Sequence, residues 1–265
     1  MRIARFHADD GQIYIGQMTD SSHARPLVGD LFAGGTFEGS PLTIRRLLAP
    51  AEPPNVFCIG RNYGAHAAET GSAVPEKPLI FIKPTTALIG PDEEIEIPGT
   101  APDEIDYEAE LAIVIGRTTR RVSEARAMEH IFGYTCANDV SARDCQRNDK
   151  QWARAKGFDT FCPLGPWIVT ADELRPDSLA IRSRLNGSVM QDSNTSNMIH
   201  NCATLVSYVS HQFTLLPGTI ILTGTPEGVG MARKPPVFMK AGDRIEIEIQ
   251  GIGTLKNVVS APRRL

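Results

Sequence analysis

No stretch of this 265-residue chain approaches about 18 consecutive apolar residues, which argues against a membrane-spanning helix. Its opening, Met1-Arg2-Ile3-Ala4-Arg5-Phe6, lacks the apolar run of a signal peptide and reads as a first strand. No Cys-x-x-Cys occurs, and the five cysteines, Cys58, Cys136, Cys145, Cys162 and Cys202, are odd in number. A disulfide framework and a structural zinc site are therefore not expected, and a reducing, cytoplasmic setting is. A concentrated positive charge is also missing. Lys and Arg number 27 against 31 Asp and Glu, a formal net charge of −4. The basic runs, residues 117–121 and Arg263-Arg264, are short and read as solvated faces or a tail. Nucleic acid is thereby disfavoured as a partner, since phosphate binding needs a dense basic surface. There is no Gly-x-Ser-x-Gly, no Gly-Lys-Ser/Thr phosphate loop, no internal repeat and no low-complexity segment.

What is present is ordinary for a globular protein: 42% hydrophobic and 22% charged residues. Residues 1–52 are expected to form a small β-rich domain, with a hairpin of residues 2–6 and 12–17 around Asp10-Gly11 and a helical turn at residues 43–48. Ala51-Glu52-Pro53-Pro54 reads as a linker. Residues 53–265 then form the main domain. Buried strands are expected at residues 56–59 and 79–82, and a third from 105 to 115. Further strands are expected at residues 131–138, 167–170, 181–185, 220–222 and 245–249, with Asn186-Gly187 as a hairpin turn. Helical patterns occupy residues 63–69, 123–130, 142–151 and 197–211. Strands outnumber helices and do not alternate regularly with them. That favours an α+β, β-rich fold over a Rossmann or TIM architecture.

Asp106-Tyr107-Glu108-Ala109-Glu110-Leu111 is the most informative segment. Period-two alternation puts Asp106, Glu108 and Glu110 on one face of a strand and Tyr107 and Leu111 on the other. Glu108 and Glu110 would lie about 6–7 Å apart. At an effective dielectric near 20 they would repel by roughly 2–3 kcal/mol, which a divalent cation would offset. Oxygen-only ligands suit Mg²⁺, Mn²⁺ or Ca²⁺. A solvated acidic edge is the other reading. Asp139 is the best third ligand, because it ends an extended stretch; it could equally cap the helix that follows.

His66 and Glu69 are three apart and share a helix face, as a general base and its orienting acid or as a plain surface pair. Arg143 and Gln146 follow Asp139 at offsets of four and seven, so one helix starting there would align all three. With Lys156 they could bind a carboxylate or an oxyanion. Arg143 could instead be a structural ion pair. Thr223-Gly224-Thr225-Pro226 offers backbone amides to an anion or is a tight connection. Buried structural thiols are far commoner than reactive ones, so no cysteine is taken as a nucleophile.

Five motifs now fall in one order: Gly60-Arg61-Asn62-Tyr63 with His66; Tyr107-Glu108-Ala109-Glu110-Leu111; Asn138-Asp139-Val140-Ser141-Ala142-Arg143-Asp144; Lys156-Gly157-Phe158-Asp159; and Thr223-Gly224-Thr225-Pro226-Glu227-Gly228. In that order the chain resembles the fumarylacetoacetate hydrolase family over residues 55–260. The resemblance implies a mixed β-roll, a homodimer and a divalent metal, Mg²⁺ first, held by Glu108, Glu110 and Asp139. It implies that His66 and Glu69 form a water-activating pair on a lid, with Lys156 also catalytic. Arg61, Tyr63, Arg143, Gln146, Gly224 and Thr225 would then contact a small keto-acid or dicarboxylate. The leading expectation is hydrolysis of a carbon–carbon bond in an acylpyruvate-like β-diketo acid. The same site would also serve isomerisation of a 2-hydroxy-dienedioate or decarboxylation of oxaloacetate. An N-terminal appendage is common in members labelled isomerases. A catalytically silent metal-binding module is the non-enzymatic alternative.

Overall fold

A computed structural model describes residues 1–262, so Arg263-Arg264 lies outside the described residues. The chain opens with the expected hairpin of β1 (Arg2–Ala8) and β2 (Ile13–Met18), turning where Gly11 takes a φ of 79°. That left-handed backbone is cheap only without a Cβ. β3 (His23–Val28), β4 (Thr36–Phe37) and β5 (Leu42–Leu48) complete the N-terminal unit. β5 overturns the helical turn expected at residues 43–48. Thr43 pairs with His23 of β3 and Leu48 with Arg5 of β1, so cross-strand pairing overrides a short local pattern. Ala4, Phe6, Ala8 and Ala24 form a small core of their own. Even so, β1 hydrogen-bonds onward into the main sheet.

The main body runs β6 (Val56–Gly60), α1 (Gly64–Glu69), β7 (Leu79–Lys83), β8 (Leu88–Ile89), β9 (Glu94–Glu96), β10 (Ile105–Asp106) and β11 (Ala109–Ile115). It continues with α2 (Glu124–Ala127), β12 (Ile131–Asn138), β13 (Ser141–Ala142), α3 (Arg143–Asn148), α4 (Ala153–Gly157) and β14 (Cys162–Thr170). β15 (Ala180–Leu185), β16 (Ser188–Asn194), α5 (Cys202–Gln212), β17 (Ile220–Leu222), β18 (Arg244–Ile249) and β19 (Gly253–Ser260) close it. One mixed sheet of 12 strands runs β2-β3-β5-β1-β14-β12-β11-β17-β6-β7, with β4 and β8 attached. A second, of five strands, runs β16-β15-β18-β19-β9. The fold is α+β and β-rich.

β11 lies between β12 and β17 and is buried on both faces. Leu111, Ile113 and Ile115 enter the larger core, shared with the five-stranded sheet. Ala112 and Val114 enter a second core on the opposite face. The expected single strand from 105 to 115 is broken at Tyr107-Glu108, because β10 leaves to pair with β13. β7 is not a buried strand: it is the sheet edge, with Leu79 38% and Ile82 49% exposed. The helices are shorter than their sequence patterns. α5 starts at Cys202, where the Asn201 side chain accepts the Thr204 amide hydrogen as an N-cap. Cys202, Leu205, Val206 and Val209 still form its buried face, as the pattern requires. Among the described residues no helix is long and apolar enough to cross a membrane.

Candidate active site

The antiparallel register of β11 and β12 creates the acid cluster. Ala109 sits opposite Asn138, so the residues just beyond, Glu108 and Asp139, adjoin across the ladder. The Asp139 amide donates to the Glu108 carbonyl at 2.9 Å. Glu110 follows on the same strand face as Glu108. All three acids are buried, and one ligand oxygen from each lies within 4.8 Å of the others. Asp106, placed on the same face by alternation, goes elsewhere because the strand breaks. It accepts the Gly230 and Met231 amides at 2.7 and 3.0 Å and Arg143 Nε at 2.8 Å.

Cations surround the cluster. Lys156 Nζ donates to Glu108 Oε2 at 2.8 Å and Asp139 Oδ2 at 2.6 Å. Lys83 Nζ lies 2.7 Å from Asp139 Oδ1, an ion-pair contact off the hydrogen-bond direction, which leaves that buried oxygen without an aligned donor. Arg143 Nη2 approaches Glu108 Oε1 at 2.8 Å in the same off-axis way, and Nη1 donates to Gln146 Oε1 at 2.9 Å. α3 starts only at Arg143, so Asp139 precedes the helix and does not share its face with Arg143 and Gln146.

The electrostatics follow from this geometry. Burial, then Asp139 and Glu108, push the Glu110 carboxyl well above its usual range. Burial would do the same to Glu108, but Lys156, Arg143 and His66 together hold it low. Burial works against the Lys156 charge, yet Asp139 and Glu108 raise it on balance, so it is an ammonium. Three hard oxygen donors crowded together, with the Glu110 carboxyl pushed up by its anionic neighbours, fit a divalent cation held by Glu108, Glu110 and Asp139.

His66 sits on α1 facing this cluster. Its Nδ1 is 2.8 Å from Glu69 Oε1, and Glu69 Oε2 accepts the Gly228 amide hydrogen at 2.8 Å. A carboxylate at Nδ1 assigns the hydrogen to that nitrogen and leaves Nε2 as the basic one. Together with the acids, Arg61, His66, Arg143, Gln146, Lys156 and Thr225 line one cavity of about 210 Å³. That is below the roughly 300–1,000 Å³ of drug-sized pockets and suits a small substrate. Three predicted residues lie behind the wall. Tyr63 is fully buried, Glu69 backs His66, and the Gly224 amide donates to Glu110 Oε2 at 2.6 Å.

Two contributors escaped sequence reasoning. Lys83 ends an apolar strand just before Pro84, and that break in hydrophobicity was its only signal. Besides its ion pair with Asp139, it donates to the carbonyls of Val140, Lys156 and Phe161. Gln191 lies on β16 of the other sheet and carries no signal. Its amide nitrogen donates to Thr225 Oγ1 at 2.7 Å and the Pro226 carbonyl at 2.8 Å, while its oxygen accepts the Ala109 amide hydrogen at 2.9 Å. It thereby ties the Thr223-to-Gly228 loop to β11. All five cysteines are free and buried, and burial pushes the Cys162 thiol up to about 12.

A mixed β-fold carrying three clustered, buried carboxylates beside a His–carboxylate pair defines an enzyme-like cleft whose acids could hold a metal ion. The fumarylacetoacetate (FAA) hydrolase C-terminal family matches residues 55–260, and an Rv2993c-like N-terminal family matches residues 1–50. This chain belongs to the fumarylacetoacetate hydrolase family. It is 47% identical over 267 residues to protein Rv2993c of Mycobacterium tuberculosis, covering 98% of each chain. It is 49% identical over 217 residues to the mitochondrial oxaloacetate tautomerase fahd2 of Xenopus laevis, covering 80% of this chain and 68% of that one. The crystal structure of 2-hydroxyhepta-2,4-diene-1,7-dioate isomerase from Mycobacterium marinum superposes with a TM-score of 0.88 at 43% identity, covering 100% of both chains.

Proposed function

We propose that this enzyme is a divalent-metal-dependent tautomerase or isomerase of small keto-acids, moving one proton between carbon and oxygen or between two carbons. The observation that carries this reading is the His66–Glu69 pair, tethered to the Gly228 amide and opening onto the same cavity as the three acids. Proton transfer next to a ketone needs one positioned base and a sink for negative charge. Nothing further is required of the site.

A cation bound by Glu108, Glu110 and Asp139, Mg²⁺ in the first instance, supplies Lewis-acid stabilisation of charge on the keto-acid oxygens. His66 Nε2 takes the proton from the carbon beside the ketone, and that bond's electron pair forms the new C=C bond. Glu69 steadies the imidazolium that results. Negative charge develops on the former ketone oxygen, where the Lys156 ammonium stabilises it. The proton then returns to that oxygen to complete the enol, or to a more distant carbon in a diene. The names of the Xenopus and M. marinum relatives support this reading over carbon–carbon cleavage. Hydrolysis of an acylpyruvate would use the same base on water and stays the second reading, supported by the family name.

The test follows the enol absorbance of oxaloacetate with Mg²⁺ or Mn²⁺, with chelator, and with Glu108→Ala. Acceleration over the buffer rate that vanishes with chelator and in the variant is expected. No acceleration, together with cleavage of acetylpyruvate or fumarylpyruvate, would replace this reading with hydrolysis. We also propose that the chain pairs with a second copy. The apolar edge strand β7, with exposed Leu79 and Ile82 lining one groove with Phe213 at the end of α5, supports that pairing.

A further inference from the structure

Four cations border the cleft, and three are already engaged. Lys156 bridges Glu108 and Asp139. Arg143 pairs with Asp106 and Glu108. Arg147, on the outer wall, pairs with Glu104 at 2.7 Å. Arg61 alone has no carboxylate partner among the described residues.

The surroundings of Arg61 are nevertheless built. Its backbone takes a φ of 57°, an uncommon conformation for a residue with a Cβ. The turn from β6 into α1 is packed so closely against Trp152 that a Cβ at Gly60 would meet the indole ring. Trp152 in turn stands edge-on to Phe81, with ring centroids 5.3 Å apart. The Arg61 guanidinium lies over the Trp152 ring, 5.8 Å from its centre. Stacking of this kind holds the plane of a guanidinium without using its N–H donors. Arg61 lines both the metal-ligand cavity and the open groove beyond it, so it stands where the two meet.

We infer that Arg61 receives a second carboxylate, at the far end of the substrate from the keto-acid group. The substrate class is then small dicarboxylates, a four-carbon keto-diacid or a longer dienedioate, and not acylpyruvates with an apolar acyl end. This rests on the proposed keto-acid site for the near end of the molecule. The guanidinium fork matches a carboxylate in two parallel hydrogen bonds. An apolar acyl group would cover that half-buried cation without pairing it, which is how a site rejects the wrong ligand.

The test uses the full chain loaded with Mg²⁺ and titration calorimetry with three ligands: oxaloacetate, its 4-ethyl ester and oxalate. The ester keeps the keto-acid end and removes the far charge; oxalate probes the near end alone. Arg61→Asn removes the cation with a residue that tolerates the left-handed backbone, and Arg61→Lys keeps the charge but loses the fork. Wild-type protein is expected to prefer the diacid over the ester by about 10- to 100-fold, the range of a hydrogen bond to a charged group. Arg61→Asn should erase that preference by weakening the diacid only, with ester and oxalate unchanged; Arg61→Lys should fall between. No preference in the wild type, or equal weakening of all three ligands in Arg61→Asn, overturns the inference. So does a change in solution mass in Arg61→Asn with ligand preference intact, which would give Arg61 to the pairing of two copies. If the preference holds but no proton transfer is accelerated, the proposed activity fails and Arg61 keeps its role.

Discussion

The Lys83 ammonium lies 2.7 Å from Asp139 Oδ1, with both side chains out of water. Lys83 comes from the edge strand β7 and Asp139 from the end of β12, so the contact pins a proposed metal ligand from outside the acid cluster. Lys83→Met would take from Asp139 one of its two cations and from three carbonyls their Lys83 donor. Breaking one partner of a buried pair costs about 3–5 kcal/mol, and urea unfolding of the metal-free protein should show it. Added Mn²⁺ should restore part of the loss by neutralising Asp139. A variant as stable as the wild type would mean that Asp139 does not need this partner.

Glu110 predicts the opposite behaviour for removal of a charge. Its folded carboxyl is raised above the ordinary 4.5 by burial, then by Asp139 and Glu108. Above that ordinary value the unfolded chain holds fewer protons than the folded one at this site. This contribution to metal-free stability is therefore present at low pH and lost as pH rises through the raised folded value. Glu110→Gln should flatten that fall and raise the metal-free Tm at neutral pH, by roughly 2–4 °C for each kcal/mol relieved. It should also lose the stabilisation that Mn²⁺ gives the wild type. A lower Tm in chelator would contradict the raised carboxyl.

Metal binding should release protons for the same reason, because Glu110 must ionise to serve as a ligand. Calorimetric titration with Mn²⁺ in two buffers of different ionisation heat measures this directly. Affinity should rise with pH over the range where release is seen. Identical heats in both buffers would mean that the site is already ionised.

His66→Ala should keep Mn²⁺ affinity and lose about 10²–10⁴ of the proton-transfer rate, the usual contribution of a positioned base. Glu69→Gln should lose less, because it acts through His66. Gly228→Ala reaches the same pair from further away. Gly228 has a φ of 100°, and a Cβ there would collide with the Met190 carbonyl. Displacing its amide from Glu69 should lower kcat and leave metal affinity alone. Wild-type rates in all three variants would remove the pair from the mechanism.

Pairing with a second copy has its own check. Ile82→Lys on the exposed face of β7 should halve the mass seen by light scattering. A wild-type chain already monomeric at micromolar concentration would end that proposal.

Much of the site can be read locally. Period-two alternation alone places Glu108 and Glu110 together, and a helical spacing of three does the same for His66 and Glu69. Both are one-element relationships, set by backbone geometry within a few residues. Asn186-Gly187 and the buried face of α5 are legible for the same reason. The strand β5 was not, because its partners β1 and β3 outweigh a weak local preference. Lys83 and Gln191 were not either, since a buried polar side chain acquires meaning only from the groups that satisfy it.

The sequence by itself determined the candidate residues: three acids, a His–Glu pair and a lysine, in an order that resembles one family. Tertiary structure decided how they meet. The β11–β12 register set Asp139 beside Glu108, and the break at Tyr107 sent Asp106 away to Arg143. Lys156 and Lys83 arrived from α4 and β7 to hold the acids, and the Gly228 loop arrived to hold Glu69. The pair Glu108 and Glu110 thus became a three-carboxylate cluster only through long-range pairing. Alternation within one strand has a period that sequence can show, whereas the partner across a ladder depends on which distant segments bury their apolar faces together.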